Sequence, residues 1–220
     1  MKTGVIIYHN NIETLYDKHW VDKSIKSILN QTDKNFILYE LNYNGENKSI
    51  IDNNNFKKFF WYEKLQNYAE SMNFLLDKAF NDGCDCVFNT NLDDFYSPER
   101  FSLQKEMLIE NDLDIVSSDF CYIEEKEIDG VKKDVITKYK NIATKYIKEN
   151  LESGHNVIAH PAVCYNKRFW SDNENRYDIN KTPVEDFDLW KRSIKRGYRF
   201  GIHKSILLYY RIHKKQSSNR

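Results

Sequence analysis

Glycine and proline are scarce in this chain of 220 residues, at 7 and 3, which argues against long disordered linkers. No apolar run approaches the roughly 18 residues that would suggest a membrane span. Neither sign of charge is in excess, since 33 Lys and Arg face 33 Asp and Glu. A neutral chain sets up no global field for nucleic acid or a membrane surface, so no nucleic-acid partner is expected. No G-x-G-x-x-G follows the first apolar segment and no G-x-x-x-x-G-K-[ST] occurs, which disfavours dinucleotide and P-loop chemistry. Cysteine is limited to Cys84, Cys86, Cys121 and Cys164. No second Cys pair or nearby His completes a zinc site. Cys84-Asp85-Cys86 falls in an apolar strand, where both thiols would share one face and pack. With no leader segment, reduced thiols and a cytoplasmic setting are expected.

What is present is aromatic and alternating. Hydrophobic residues make up 40% and aromatic residues 15%, with 15 Tyr and 13 Phe, enough for one large domain. Residues 4–8 are continuously apolar, as in a central strand covered on both faces. Residues 17–30 carry Trp20, Val21, Ser24, Ile25, Ile28 and Leu29 on one helical stripe. Strands follow at 36–41 and 59–62, with a turn at 42–47 and a weak helix or loop at 50–56. Residues 67–82 read as a helix ended by Gly83, and 84–89 as the fourth strand. This alternation predicts a doubly wound α/β sheet. The second half reads as a helix at 98–110, a strand at 113–118, and a hairpin of 119–124 with 131–136 turned at Asp129-Gly130. Then come a helix at 142–152, an extended 157–165 bent by Pro161, a mobile loop at 171–182, a helix at 183–196 and a strand at 199–210.

The run 87–94, VFNTNLDD, is the centre of the chain. Ser97 suits an N-cap and Pro98 a first helical position, so Asp93 and Asp94 sit between a finished strand and a helix not yet begun. In open α/β sheets that crevice holds ligands. Paired carboxylates there suit a divalent cation and a phosphorylated ligand, or simply an Asx turn in a solvated loop. A second acidic group, Glu185, Asp186 and Asp188, opens the last helix, where the helix dipole favours carboxylates in any case. Glu185 and Asp188 share a side, while Asp186 points elsewhere. Together the two groups suit transfer from an activated donor: a cation on a leaving diphosphate, and a remote carboxylate to accept a hydroxyl proton. His160 and His213 are ligand-side candidates or polar loop residues. Trp61, Trp170 and Trp190 would stack on a ring or pack in the core. Residues 181–220 hold 11 Lys/Arg against three acids, a segment facing either a diphosphate or solvent.

At this point the chain resembles the inverting family 2 glycosyltransferases, which have the nucleotide-sugar-binding GT-A fold. Residues 5–10 resemble the family's first strand and loop, and 26–36, KSILNQTDKNF, its S-I-L-N-Q-T-x-x-x-F stretch. Residues 69–73 resemble the helix before the central strand. Asn91-Leu92-Asp93-Asp94 stands at the D-x-D-D metal motif, 185–190 (EDFDLW) at the E-D-x-D-L-W base motif, and 210–213 (YRIH) at the Y-R-x-H segment. The resemblance implies a Rossmann-like mixed sheet flanked by helices, with a small acceptor-side subregion. It implies one domain over 1–220, with a nucleotide-sugar-binding half at 1–96 and an acceptor-binding half at 97–220. The implied reaction moves a hexose or N-acetylhexosamine from a UDP-type nucleotide sugar to a glycan or other hydroxyl acceptor. One direct displacement inverts the anomeric carbon, with Mn²⁺ or Mg²⁺ on the diphosphate. Asp94 would be the metal ligand, Asp93 a ribose or metal-shell contact, and His213 and Arg211 would lie near the diphosphate, His213 as a metal ligand. Asp186 would be the base, with Glu185 supporting it or orienting the acceptor. Tyr8, Asn10, Asn73 and Asn91 would complete the donor site.

The chain departs from the family in places. The Asp pair often found after the second strand is absent from 39–45 (YELNYNG), so Glu40 or Asn42 would read the base. Asn91 replaces the first Asp of D-x-D-D, and Met72 the basic residue before the helix Asn. The chain is short for the family, as a minimal enzyme or a catalytic domain with additional domains beyond it would be. Its Asn, Lys, Ile and Tyr usage fits an AT-rich genome, bacterial or viral; a viral protein would act in host cytoplasm. Rival readings are an inactive nucleotide-sugar-binding module, and a nucleotidyltransferase, which would want a Gly-rich loop at His9-Asn10-Asn11. Acceptor contacts would come from 121–138 and 171–182.

Overall fold

The computed structural model describes residues 1–10, 12–52, 55–214 and 216. Asn11 of the expected first loop, Asn53 and Asn54 of the 50–56 stretch, and Lys215 and residues 217–220 of the basic segment lie outside them. The first strand, β1 (Thr3–His9), is apolar on both faces because both become covered. Val5 and Ile7 enter one core cluster and Ile6 the other, all fully buried. A short α1 (Ile12–Leu15) and α2 (Lys18–Leu29) follow, then β2 (Ile37–Tyr43) and β3 (Lys58–Glu63), each parallel to its neighbour. Helix α3 (Tyr68–Asn81) is capped by Asn67, whose side chain accepts the Glu70 N–H at 3.1 Å. It buries Ala69, Met72, Leu75, Leu76 and Ala79. Truncating one such Leu to Ala would cost about 2–5 kcal/mol.

β4 (Cys86–Thr90) then pairs with β1 on the side away from β2. A two-residue β5 (Phe95–Tyr96), α4 (Arg100–Glu110), β6 (Ile115–Ile128) and β7 (Val131–Lys140) come next. α5 (Ile147–Glu152), β8 (Cys164–Asn166), α6 (Lys167–Trp170), α7 (Glu185–Lys195) and β9 (Phe200–Arg211) complete the order. The strands form one mixed sheet in the order β3-β2-β1-β4-β8-β6-β9-β5, with β7 added on β6. β8 runs antiparallel to both β4 and β6. The architecture is an α/β fold, a Rossmann-like mixed sheet flanked by helices, as expected. No helix among the described residues is long and apolar enough to cross a membrane.

The 6–7 hairpin turns at Asp129 (φ 54°) and Gly130 (φ 73°), the left-handed pair that suits strand twist. Other expectations change. β6 is one strand where the sequence suggests two, because its irregularity near Asp119 is absorbed as register shifts against β9. The helix at 142–152 shrinks to a 3₁₀ turn (Thr144–Tyr146) and α5, since Asp119 Oδ1 accepts the Ile142 N–H at 3.0 Å and holds that end extended. Helix α4 begins at Arg100, and Ser97 does not cap it; the Ser97 hydroxyl donates to Glu99 instead. Within 157–165 only Cys164 and Tyr165 belong to a strand, and His160–Ala162 form a 3₁₀ turn around Pro161, which has no N–H to give a ladder. Cys84 and Cys86 part company. Cys84 lies before β4, with its N–H bonded to the Ala79 carbonyl at 3.1 Å, and packs in the cluster containing Tyr39. Cys86 packs in the opposite cluster.

Segment 171–182, expected as a mobile loop, is packed at its centre. Asn175 and Tyr177 are buried at 0% and 2% exposure. Arg192 donates to the carbonyls of Glu174 and Arg176 at 2.6 and 2.7 Å, so a helix side chain satisfies the segment's backbone.

Candidate active site

The chain winds outward from β1 through β2 to β3 and then returns to β4 on the other flank of β1. The reversal opens a crevice beyond the C-terminal ends of β1 and β4. A cleft of about 1000 Å³ lies there. Tyr8 comes to it from β1, Asn91 and Asp93 from the turn after β4, and Glu185 and Asp186 from the start of α7. His160, Phe120 and Tyr122 line the remaining wall.

The turn after β4 is held from several sides. The Tyr8 hydroxyl donates to Asn91 Oδ1 at 2.8 Å, and Ser24 Oγ to the Asn91 carbonyl at 2.9 Å. The Tyr96 hydroxyl accepts the Asn91 N–H at 2.7 Å. Asp93 Oδ2 lies 3.0 Å from His213 Nε2, and Asp94 Oδ1 accepts the Arg211 N–H at 2.8 Å. Asp94 is 2% exposed and does not line the cleft, whereas Asp93 does. Burial, then the charge of Asp93, pushes the Asp94 carboxyl well above its ordinary value, against the pull of Arg211.

Asp93 Oδ1 and Asp94 Oδ2 are buried with no hydrogen-bond partner. Carboxylate oxygens without donors suit Mn²⁺ or Mg²⁺ by type, but Asp93, Asp94 and His213 do not bring three ligand atoms within 4.8 Å of one another. Among the described residues the group that does is Asp17, His19 and Glu125, which would hold a divalent ion by donor type. The Lys132 ammonium already stands there, 2.9 Å from Glu125 and 3.2 Å from Asp17.

Glu185 and Asp186 both face the cleft, although helical spacing turns Asp186 away from the side of Glu185 and Asp188, because both sit at the helix end that abuts it. Asp188 pairs with Arg192 at 2.7 Å and serves the helix. Asp186 Oδ2 accepts from Asn156 Nδ2 at 3.0 Å and Oδ1 from the Phe187 N–H at 2.7 Å. Burial raises its pKa. Burial also raises that of Glu185, opposed by a hydrogen bond from the Tyr68 hydroxyl. Glu185 Oε2 is buried without a partner. His160 Nε2 lies 2.9 Å from the Tyr177 hydroxyl, and burial lowers its pKa to about 4, so the ring is neutral at neutral pH.

Other expected donor contacts are engaged elsewhere. Glu40 is fully buried, accepts the Ile50 N–H at 2.7 Å, and lies 3.0 Å from His9 Nε2, so it anchors the loop after β2 and does not line the cleft. Asn42 is 6% exposed; its Nδ2 donates to the Glu46 carbonyl, while Oδ1 has no partner. Asn73 is turned to Tyr177, away from the cleft lining. Asn10 is half-buried, outside the lining, with Oδ1 unpartnered. Arg211, 1% exposed, does not face the cleft; Asp134 holds its two terminal nitrogens, and its Nε donates to the Asp93 carbonyl at 2.9 Å. The basic C-terminal segment behaves likewise: Arg192, Arg196 and Arg199 pair with acids, and Lys140 is the one Lys or Arg lining the cleft among the described residues. Trp170 and Trp190 are core residues, and Trp61 stacks over Tyr39.

Sequence reasoning did not find Trp20, Asp134, Asn156 or Tyr68. The Trp20 ring lies 4.7 Å under the Arg211 guanidinium and 5.2 Å from the His213 ring. On the sequence it was one more apolar position of α2, and nothing local marks it.

No protein-family model matches the chain. It is similar in sequence to an uncharacterized glycosyltransferase of Methanocaldococcus jannaschii, 26% identical over 205 residues that cover 88% of this chain and 66% of that protein. It is also similar to the O-antigen biosynthesis glycosyltransferase WbnJ of Escherichia coli, 27% identical over 92% of this chain and 78% of the relative. In structure it is similar to S. aureus TarS in complex with UDP-GlcNAc, with TM-score 0.69, 12% identity, and cover of 100% of this chain and 61% of that one. Against TarS in complex with UDP the TM-score is 0.65, over 96% of this chain and 61% of that one. The chain thus spans about two thirds or less of the first of these curated relatives and of the solved TarS chains. It is similar in sequence to these two glycosyltransferases and shares the fold of the TarS chains.

Proposed function

We propose that this chain is an inverting glycosyltransferase that moves a hexose or N-acetylhexosamine from a UDP-type sugar to a hydroxyl of a glycan or other acceptor. The observation that carries the reading is one cleft, at the sheet's switch point, lined by both Asp93 and Asp186. The named activities of the sequence relatives and the nucleotide complexes of TarS support it.

Asp186 accepts the proton of the acceptor hydroxyl. Its burial-raised pKa gives it more proton affinity than an ordinary Asp, and Asn156 and the Phe187 N–H fix its orientation. The hydroxyl oxygen bonds to the anomeric carbon as the bond from that carbon to the diphosphate oxygen breaks, which inverts the centre. Glu185, held by Tyr68, and neutral His160 orient the acceptor from the same wall. Asp93, which lines the cleft, would meet Mn²⁺ or Mg²⁺ on the diphosphate. When bound, such an ion offsets negative charge on the departing diphosphate. Residues 1–96 form the donor half and 97–220 the acceptor half.

The test is a screen of nucleotide sugars for Mn²⁺-dependent hydrolysis, followed by transfer assays with the best donor. Turnover that Asp186→Asn removes supports the reading. Tight UDP-sugar binding with neither hydrolysis nor transfer would favour an inactive binding module, and no nucleotide binding at all would sink both.

A further inference from the structure

A row of three hydrogen-bonded side chains runs from the core to the cleft. The Tyr165 hydroxyl meets the Tyr177 hydroxyl, which lies 2.9 Å from His160 Nε2. Tyr165 and Tyr177 are 0% and 2% exposed, and His160 is half-buried and lines the cleft that Asp186 also lines. Among the described residues neither hydroxyl has a further hydrogen-bond partner, and His160 Nδ1 has none. The protons of the row can therefore be counted. Burial lowers the His160 pKa to about 4, so at neutral pH the ring carries one N–H proton. Were it on Nε2, that nitrogen would donate to Tyr177, and Tyr177 to Tyr165. The Tyr165 proton would then be buried without an acceptor, which costs the full desolvation of that hydroxyl. With Nε2 bare, Tyr165 donates to Tyr177, Tyr177 donates to Nε2, and both buried protons are satisfied. The ring proton then sits on Nδ1, the nitrogen that no described protein group holds.

We infer that His160 is a specificity-determining residue: it presents Nδ1–H to the cleft and donates it to a hydroxyl oxygen of the acceptor sugar, with Tyr177 and Tyr165 as the positioning residues that fix this tautomer. The inference rests on the glycosyltransferase reading above and deepens its acceptor side. Ring and base share one wall. The His160 ring centroid lies 6.2 Å from that of Trp190, which stands one helical turn along α7 from Asp186. A neutral donor suits an uncharged saccharide hydroxyl. Unlike an imidazolium, it also puts no positive charge beside Asp186, which would lower the proton affinity of the base. A site that offers a fixed N–H to one hydroxyl discriminates against the sugar that lacks it, because the donor is then left unpaired.

The first measurement needs no substrate. Two-bond ¹H–¹⁵N correlation spectra of the ¹⁵N-labelled chain at neutral pH report which ring nitrogen of His160 is protonated, its signals being identified by their loss in His160→Gln. The Nδ1–H form is expected, and the Nε2–H form overturns the inference. Tyr177→Phe should abolish the preference, and a spectrum unchanged by it overturns the positioning role. The second measurement is transfer from the nucleotide sugar that the parent turns over, with methyl hexosides and methyl N-acetylhexosaminides as probe acceptors. An Asn amide nitrogen can take the place of Nδ1, and a Gln amide nitrogen that of Nε2. His160→Asn is therefore expected to keep the acceptor KM within about threefold of the parent, and His160→Gln to raise it about tenfold, with the KM for the nucleotide sugar unchanged in both. A structural role predicts the reverse order, since Gln can still meet Tyr177 and Asn cannot. That order overturns the inference, as do equal acceptor KM values in the two variants or a rise confined to the nucleotide sugar. If His160→Asn shows no cooperative melting transition, mono-deoxy forms of the best acceptor decide. One of them must lose about tenfold with the parent and nothing further with His160→Gln, and the absence of any such form counts against the inference. Should the parent neither hydrolyse nor transfer any nucleotide sugar, the glycosyltransferase reading fails and the inference falls with it. Hydrolysis without transfer to any of these acceptors overturns the inference alone.

Discussion

Asn73 grips both backbone groups of Tyr177, donating Nδ2–H to its carbonyl at 2.9 Å and accepting its N–H on Oδ1 at 2.9 Å. The side-chain amide stands in for a neighbouring strand, and it reaches a residue 104 positions away. Tyr177 in turn carries its hydroxyl to His160 on the cleft wall. A contact that looks like part of a donor site in the sequence is therefore a clamp on the segment behind the cleft.

Asn73→Ala should cost about 1–3 kcal/mol, since it leaves the Tyr177 N–H and carbonyl unpaired. In a chain of this size that lowers the melting temperature by about 2–12 °C. UDP affinity, measured by titration calorimetry, should stay within about twofold, or about 0.4 kcal/mol. A large loss of UDP affinity with an intact melting transition would show instead that Asn73 touches the donor.

Asp186→Asn keeps the side chain's shape and removes its proton affinity. The turnover number for transfer is expected to fall about 10²- to 10⁴-fold, the range for loss of a positioned base. UDP binding should be nearly unchanged. Equal losses in turnover and UDP binding would place Asp186 on the donor, not on the acceptor.

The pH profile follows from the same residue. A base works only when ionised, so kcat/KM must rise with pH along an acid limb. Burial raises the Asp186 pKa, so the limb's midpoint should lie above the ordinary value for an Asp side chain. A midpoint at or below that value would exclude a buried carboxyl as the base.

His160 makes a stability prediction of definite sign. Folded, its pKa is lowered to about 4 by burial; unfolded, it takes a proton near 6.5. Between those limits the unfolded chain binds a proton that the folded one refuses, so falling pH removes stability across that window. Above pH of about 6.5 the ring contributes no pH dependence. Urea titrations of the parent and His160→Gln should show a difference that changes from about pH 6.5 to 4 and is flat above. A difference flat over the whole range would mean that His160 is not buried neutral.

Glu40→Gln tests the loop after β2. Glu40 holds that loop through the Ile50 N–H and Ser49, and lies 3.0 Å from His9. The variant is expected to be less stable by about 1–3 kcal/mol, with its preference for UDP over GDP unchanged. A switch in base preference at unchanged stability would return Glu40 to the nucleobase.

Much of the fold was legible because its signals are local. The continuous apolar run of β1, the stripe of α3 and the Asp129-Gly130 turn each carry their geometry within a few residues. The errors fell where a distant partner overrode the local signal. Asp119 shortened the helix expected at 142–152, and Arg192 fixed a segment whose polar composition suggests mobility. Of the candidate site, the two acidic groups stood out as charge clusters at element ends. Trp20 and Asp134 did not, since an indole on an apolar stripe and a lone Asp on a strand are ordinary in sequence.

The sequence alone determined the order and kind of most elements and the placing of Asp93, Asp94, Glu185 and Asp186 at their ends, because periodicity and end chemistry are short-range. The tertiary structure decided which of the many charges answer one another. Arg211 meets Asp134 across 77 residues and Asp93 across 118, and Glu40 meets His9 across 31. Electrostatic attraction depends on separation in space and on how much water is excluded, and neither is written along the chain.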